Sequence, residues 1–273
     1  QSELMATGSN LINTSSDGRP TDVEDRPFSF AIGTQLFLNP SDSPTNGVVS
    51  FKADANLLAG TLASGTSNLS IGLSADSELN TLASWGESFI SGASANRFPI
   101  GFGRLTTAPE KIGVNVEGTQ VATIGKPQTA GAIDTASNEI SIANHPFNTG
   151  DQVVVSSTGA VPGGLVAGTG YFVISVSSNS IKLSTTRVGA VGNSEIDIQS
   201  SGSGTITVAS DEIFTLTRAG SSGTVTVKKA DVTIATFTNT NINSPLRLFY
   251  WNREQSASST DPVLKEIKVT GAI

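Results

Sequence analysis

Cysteine is absent from this chain of 273 residues, and histidine occurs only once. Without cysteine the chain has no disulfide framework, no thiolate nucleophile and no Cys/His zinc cluster. Charged residues make up only 14% of the chain, against about 25% in an average soluble domain. Ser, Thr, Gly and Asn take their place, which is typical of an all-β surface or assembly protein with strand faces solvated by hydroxyls and amides.

The charge balance is acidic, with a net charge of −7 at pH 7. The basic residues are scattered, whereas nucleic-acid affinity depends on clustered Lys and Arg that neutralise phosphates. No stretch approaches the roughly 20 apolar residues of a membrane span. We therefore expect neither nucleic acid as a partner nor insertion into a membrane.

The most regular alternation of apolar and polar residues lies in the last quarter of the chain. A strand over Glu212–Arg218 is followed by the break 219–223 and a second strand, which together predict an antiparallel hairpin. Three further strands follow it. The predicted strands are Glu212–Arg218, Thr224–Lys228, Val232–Phe237, Leu246–Trp251 and Glu266–Val269.

The first half of the chain predicts the strands that complete this sheet system. Phe28, Phe30 and Ile32 fall on one face at a period of two, and further alternation predicts strands at 48–51 and 69–73. A hairpin is predicted over 112–116 and 120–124. Between Asp76 and Arg104 the pattern loosens, and the stretch 76–92 within it predicts one helical turn or a long crossover.

These strands, in this order, resemble the concanavalin A-like or laminin-G-like jelly roll. The resemblance is carried by "RPFSFAIGTQLFLNP" at the start, "FTLTRAGSSGTVTVKKADVTIATF" and "SPLRLFYWNRE" near the end, and a closing "EIKV". The chain departs from the family's pattern in lacking a Trp in the first strand and in having Ala230-Asp231 where the family's hairpin carries Gly. The resemblance implies an all-β jelly-roll sandwich and says more about fold than function.

A second set of short strands begins where the composition shifts, at 125–127. Its sequence, "NHPFNTGDQVVV", "GGLVAGTGYFVISVSSNSIKLSTT" and "GSGTITV", resembles a small all-β module that recurs in structural proteins of tailed phages, particularly cyanophages, and in some bacterial surface proteins. Because jelly-roll strands lie on both sides, we expect residues 126–210 to form a domain inserted in a loop. The jelly-roll domain is then 26–125 and 211–273, and such an insertion requires its two ends to lie close together.

Residues 1–25 are polar and carry few apolar groups. One interpretation is a solvated leader; the other is an arm that becomes ordered against a neighbouring subunit. Edge strands of an open sandwich need covering or pairing, and this chain has few charges to protect them. We therefore expect a homo-oligomer or a repeated copy in a larger shell.

No set of residues predicts catalysis. His145 lies in a loop with no sequence signal that brings it to a nucleophile and a carboxylate. The Gly-rich run 159–170 lacks the Gly-Lys-Ser/Thr ending of a phosphate loop and is interpreted as turns. The glucanase strand motif Glu-x-Asp-x-x-Glu is also absent. We expect no enzyme, no cofactor and no metal; carboxylate pairs that could instead ligate calcium are Asp76 with Glu78 and Asp42 with Asp54.

Aromatic residues near the end of the fourth C-terminal strand give the one binding hypothesis. Trp251, beside Arg253 and Tyr250, has the chemistry to stack on a sugar ring or to seat a partner chain. Packing of Trp251 against the following loop is the alternative.

Two functions from different classes fit these observations. The first is a non-enzymatic virion structural protein of a tailed phage, such as a capsid decoration, fibre or tail component. Its partners would be other virion proteins and copies of itself, with a host-surface glycan as a further candidate. The second is a carbohydrate-binding, lectin-like module of a cell-surface or secreted protein.

Overall fold

The computed structural model describes residues 28–32, 47–53, 67–74, 97–105, 108, 110–116, 119–218, 224–238, 247–253 and 264–270. Within these ranges the chain forms eighteen β-strands and one short helix, α1 (Arg187–Val191). The chain divides into two compact units. Unit 1 comprises 1–107, 113–123 and 213–273, and unit 2 comprises 108–112 and 124–212.

Unit 1 is built on two antiparallel sheets. The strands of the six-stranded sheet, in spatial order, are β1 (Phe28–Ile32), β17 (Arg247–Arg253), β3 (Ser67–Ser74), β4 (Arg97–Arg104), β5 (Lys111–Val116) and β6 (Thr119–Gly125). Those of the five-stranded sheet are β16 (Val232–Thr238), β15 (Thr224–Lys229), β14 (Ile213–Arg218), β2 (Gly47–Ala53) and β18 (Leu264–Thr270).

Three buried phenylalanines join the two sheets face to face. Phe51 on β2 stacks on Phe214 of the neighbouring β14, with ring centroids 5.5 Å apart. The ring of Phe102 on β4 meets both edge-on, at 6.0 Å from Phe51 and 5.2 Å from Phe214. All three side chains are at most 1% exposed. Because β4 belongs to the other sheet, unit 1 is a sandwich with this cluster in its core.

The strand order confirms the predicted fold class, an all-β jelly-roll sandwich. The chain passes from one sheet to the other between β1 and β2, β2 and β3, β16 and β17, and β17 and β18. All strand pairs with a described register are antiparallel. The five C-terminal strands lie within two residues of their predicted bounds.

One strand of the sandwich was not predicted from the sequence. The helical turn or crossover expected over 76–92 lies outside the described residues, and β4, which follows it, pairs with β3 over 97–103. Phe98, Ile100 and Phe102 do alternate there. Pro99 and Gly101 between them, and Gly103 after them, lower the intrinsic strand propensity, and the buried sheet environment overrides it.

Unit 2 contains a second, seven-stranded antiparallel sheet. Its strands, in spatial order, are β7 (Gln128–Thr129), β13 (Ile206–Ser210), β10 (Gln152–Ser157), β11 (Gly170–Ser177), β12 (Ser180–Ser184), β9 (Glu139–Ser141) and β8 (Ile133–Asp134). The two-residue strands β7 and β8 and the helix α1 were not predicted from the sequence.

The sheet of unit 2 closes on itself. β7 and β8 lie at its two ends but are separated by only three residues in the chain. Within that link the N–H of Ala130 donates to the carbonyl of Ile206 on β13, and the N–H of Gly131 donates to the carbonyl of Ser141 on β9. One segment therefore bridges both ends, and the strands form a small barrel.

The barrel encloses its own apolar core. Alternate residues of each strand point inward, as a period of two requires. The buried cluster consists of Ile140, Ile142, Phe147, Val153, Val155, Leu165, Tyr171, Val173, Ile181, Leu183, Ile198, Ile206 and Val208.

The two ends of unit 2 meet. Gln128, near its start, pairs with Val208, near its end, in the β7–β13 ladder. This is the geometry that an insertion requires. The domain bounds 126 and 210 stay a prediction about independent folding.

Candidate functional site

The three residues predicted for binding lie on β17, between β1 and β3. Trp251 pairs with Phe30 on one side and with Ser70 on the other. Tyr250 pairs with Ala31 and with Ile71, and Ile71 is fully buried.

Arg253 is the last residue of β17 and pairs with Phe28 at the start of β1. Since neighbouring residues of a strand alternate between faces, position 250 falls on the face of the buried Ile71. Positions 251 and 253 share the other face. The register therefore groups Trp251 with Arg253 and separates both from Tyr250.

His145 belongs to a packed cluster in unit 2, which we call the clamp and in which Pro146 and Phe147, next to His145, lie against Gly125. The Nε2 of His145 lies 2.6 Å from the carbonyl oxygen of Ser177, which can only accept, so Nε2 carries a proton and donates it in this hydrogen bond. Its ring stacks on Phe147 with centroids 6.1 Å apart. Its Nδ1 is buried without a hydrogen-bond partner among the described residues. A base needs an accessible nitrogen facing a nucleophile, so this geometry does not assemble a triad.

No group of three potential metal-ligating side chains occurs in the described part of the chain. The carboxylate pairs Asp76 with Glu78 and Asp42 with Asp54 lie outside the described residues, as does the leader 1–25. Within the described ranges no helix is long and apolar enough to span a membrane.

The clamp around His145 also fixes the point where the chain enters unit 2. Pro146 and Phe147, next to His145, are both buried and pack against Gly125. A Cβ built on Gly125 would lie 2.7 Å from the Phe147 ring and 2.8 Å from Pro146, so the backbone approaches these rings too closely for any side chain.

The point where the chain leaves unit 2 is fixed by backbone and carboxylate contacts. The N–H of Asp211 donates to the carbonyl of Gln152, and the N–H of Gln152 donates to Oε1 of Glu212 at 2.9 Å. Glu212 is only 3% exposed, so its carboxylate ends the β10–β13 ladder inside the protein. Both connections of unit 2 are therefore held by specific packing.

At the far ends of β10 and β13, two loops are hydrogen-bonded to each other and form a pair that we call the tip (residues 157–164 and 199–205). Serine and threonine groups supply most of its hydrogen bonds. Oγ of Ser203 accepts from Ala160, Oγ of Ser200 accepts from Gly163, and Oγ1 of Thr158 accepts from Thr205 at 2.9 Å. The tip contains no charged and no aromatic residue.

Two carboxylates on the surface of unit 2 are held in their ionised form. The backbone N–H of Ala136, followed by the hydroxyl and N–H of Ser137, holds the pKa of Asp134 below its usual range. The N–H of Glu195 itself and the ammonium of Lys182, at 3.3 Å, lower the pKa of the Glu195 carboxyl. Any stability from these groups is present at neutral pH and is lost only as acid protonates them.

No protein-family model matches the chain, and no curated protein matches it. Among solved structures it is similar to the metal-free form of lectin I-B4 from Griffonia simplicifolia, at 10% sequence identity and a TM-score of 0.36. That match covers 98% of this chain and 87% of the lectin chain. The jelly-roll assignment therefore rests on the strand order and the aromatic core described above.

Proposed function

We propose that this protein is a non-enzymatic structural component of a tailed-phage virion, in a capsid decoration, fibre or tail. In this proposal the jelly-roll unit is the structural body and unit 2 is a rigid module carried by it. Other virion proteins and further copies of the chain are the expected partners.

The construction of unit 2 is the observation that carries the proposal. A closed barrel with its own core and with both ends meeting at one ladder is suited to insertion into a host domain. Its tip is held by hydroxyl groups and carries neither charge nor aromatic ring. Such a unit offers shape and stiffness rather than chemistry, which fits a structural role. The sequence resemblance of this segment to modules of phage structural proteins points the same way.

Antibodies raised against the purified chain test the virion role. They would be applied, with gold-labelled secondary antibodies, to particles purified from the chain's source and viewed by electron microscopy. We expect regular labelling of the capsid or tail, and loss of that labelling after preadsorption with the chain. Particles that carry no label, and no peptide of this chain by mass spectrometry after denaturation, would refute the proposal.

Carbohydrate binding is the second candidate, supported by the placement of Trp251 and Arg253 on one face of β17. An indole beside a guanidinium can stack on a sugar ring and donate hydrogen bonds to its hydroxyls. A glycan array probed with the full chain tests this, with Trp251→Ala as the loss variant. Tyr250→Phe is the matched control, since its position lies on the opposite face and the change removes only a hydroxyl. Equal signals from the parent chain and Trp251→Ala would exclude this site.

A further inference from the structure

Among the described strands of the sandwich, β16 is the outer strand at one edge of the five-stranded sheet. Among the described strands it pairs only with β15. An edge strand presents a row of unpaired N–H and C=O groups, which proteins protect with charges, prolines or bulges. The closed barrel of unit 2 has no such long edge, so the sheet edges that need protection are those of the sandwich.

The two edges of the five-stranded sheet are protected unequally. β18, at one edge, carries three charged residues, Lys265, Glu266 and Lys268. β16, at the other edge, runs from Val232 to Thr238 without a charged residue or a proline. Both edges carry a β-bulge, but charge protects only the β18 edge.

The bulge on β16 is confined to its first half. It lies where the register shifts between Val227 and Lys228 of β15. Beyond it, Ala235–Thr238 pair in regular register with Val227–Thr224. Four consecutive residues of the edge are therefore flat enough to accept another strand.

The regular stretch is also held firmly in place. Phe237 is 4% exposed and anchors the strand in the core, while Thr236 is exposed. β-Branched residues such as Thr favour the extended conformation. The edge therefore presents its backbone groups already in the geometry that a further strand needs, at little cost in conformational entropy.

We propose that β16 is a self-association edge, at which β16 of one copy pairs antiparallel with β16 of a second copy across a twofold axis. Self-pairing of Ala235–Thr238 places no like charges opposite each other, although each chain carries a net charge of −7. The contact joins the two five-stranded sheets into one continuous sheet. It rests on the chemistry of this edge and does not depend on the virion role.

Sedimentation velocity on the full chain, over a series of concentrations, tests the proposal with two lysine variants. Thr236→Lys places a charge at the edge, and we expect it to weaken dimerisation by at least about tenfold. Thr226→Lys is the matched control. Thr226 lies directly opposite Thr236 on β15, so it puts the same charge on the same face one strand inward. We expect this variant to dimerise like the parent chain.

A thiol variant gives an independent measurement. The chain has no cysteine, so Thr236→Cys would carry its only thiol. We expect mild oxidation to trap a covalent dimer of Thr236→Cys and much less of Thr226→Cys. A parent chain that is monomeric at every concentration overturns the proposal, and so does undiminished dimerisation of Thr236→Lys. If circular dichroism shows that Thr236→Lys is unfolded, Thr233→Lys, at another exposed position of β16, takes its place under the same criteria.

Discussion

Ala230 adopts a backbone conformation that glycine tolerates better. Its φ is +52° in the turn between β15 and β16, and its N–H donates to the carbonyl of Ile213 at 2.7 Å. Left-handed backbone brings Cβ too close to the following carbonyl oxygen, at a cost of about 1–2 kcal/mol. The jelly-roll family's hairpin has Gly in this region, so the sequence already marked this turn as unusual.

We predict that Ala230→Gly raises the free energy of unfolding by about 0.5–1 kcal/mol, because relief of strain exceeds the added entropy of the unfolded chain. The midpoint of urea unfolding at unchanged slope measures it. Ala235→Gly, within β16, is the control and should lower stability by about 0.5–1 kcal/mol. A lower midpoint for Ala230→Gly would show that the turn carries no strain that glycine relieves.

The strand that contains Trp251 could be predicted from the sequence, but the face on which Trp251 lies could not. Alternation at 246–251 predicted a strand that contains Trp251, and the structure places Trp251 in β17. The neighbours of that strand, β1 and β3, are more than 170 residues away in the chain. Long-range pairing depends on the packing of both sheets, so no local pattern could reveal which face of β17 holds which residue.

Two glycines of unit 2, Gly202 in the tip and Gly168 outside it, are needed for different reasons. Their φ angles are nearly equal, at +75° for Gly168 and +73° for Gly202. A Cβ on Gly168 would meet nothing within 4 Å, whereas a Cβ on Gly202 would lie 2.5 Å from the carbonyl oxygen of Ala160. Alanine substitutions at these two glycines therefore distinguish the cost of backbone strain from the cost of steric overlap.

We predict that Gly168→Ala costs about 1 kcal/mol, from backbone strain alone. Gly202→Ala should cost about 2–4 kcal/mol, because overlap with the Ala160 carbonyl forces the two loops apart. Thermal unfolding of both variants measures the difference. If the two variants lose equal stability, the loops of the tip move apart at no cost to accommodate the new methyl group. That result would argue against the rigidity on which the proposed function of unit 2 rests.

The elements that the sequence did not predict share one physical property. β7 and β8 have two residues each and α1 has five, so none is long enough to express a period. α1 forms because Thr186 caps it, with Oγ1 accepting from the N–H of Gly189, and because Ala190 is fully buried. Longer strands such as β11 and β12 carry enough alternating residues to be predicted locally.

At the scale of the whole molecule, two sheet systems are interleaved in one chain. The chain enters unit 2 after β6 and leaves it into β14, so the sandwich contains strands from both sides of unit 2 in the sequence. The composition shift at 125–127 suggested a division here, and the division of the chain into two compact units falls close to it. The closure of the barrel could not be predicted from the sequence, because it depends on the pairing of the 128–134 segment with both β13 and β9.

The leader offers a test of assembly that is separate from the β16 edge. Residues 1–25 have few apolar groups and therefore need a surface outside themselves to become ordered. We predict that the full chain forms a larger species in light scattering than a chain starting at Arg26, because the leader docks on a neighbouring copy. Equal masses for both chains, with the leader still cut by protease in the assembled form, would rule this out.

The last prediction concerns the independence of unit 2. A chain limited to 124–212 retains the full barrel core, the clamp of His145 and Phe147 on Gly125, and the contact of Glu212 with Gln152. It loses the segment 108–112 of unit 2, which includes the buried Ile112 and the carbonyl of Glu110 that accepts from the N–H of Lys126. Each fully buried Val, Ile, Leu or Phe contributes about 1.5–3 kcal/mol, so the retained core outweighs the loss of this one segment.

We therefore expect this fragment to be soluble and to unfold cooperatively when followed by circular dichroism. A shorter fragment, 126–210, follows the bounds predicted from the sequence but lacks Gly125, Asp211 and Glu212. It should be less stable than the 124–212 fragment by about 2–4 kcal/mol. It loses the hydrogen bond from the N–H of Asp211 to the carbonyl of Gln152, and it leaves the N–H of Gln152 without its carboxylate acceptor. Equal stability of the two fragments would place the boundary at the sequence-predicted bounds, and a molten 124–212 fragment would show that unit 2 needs the sandwich to fold.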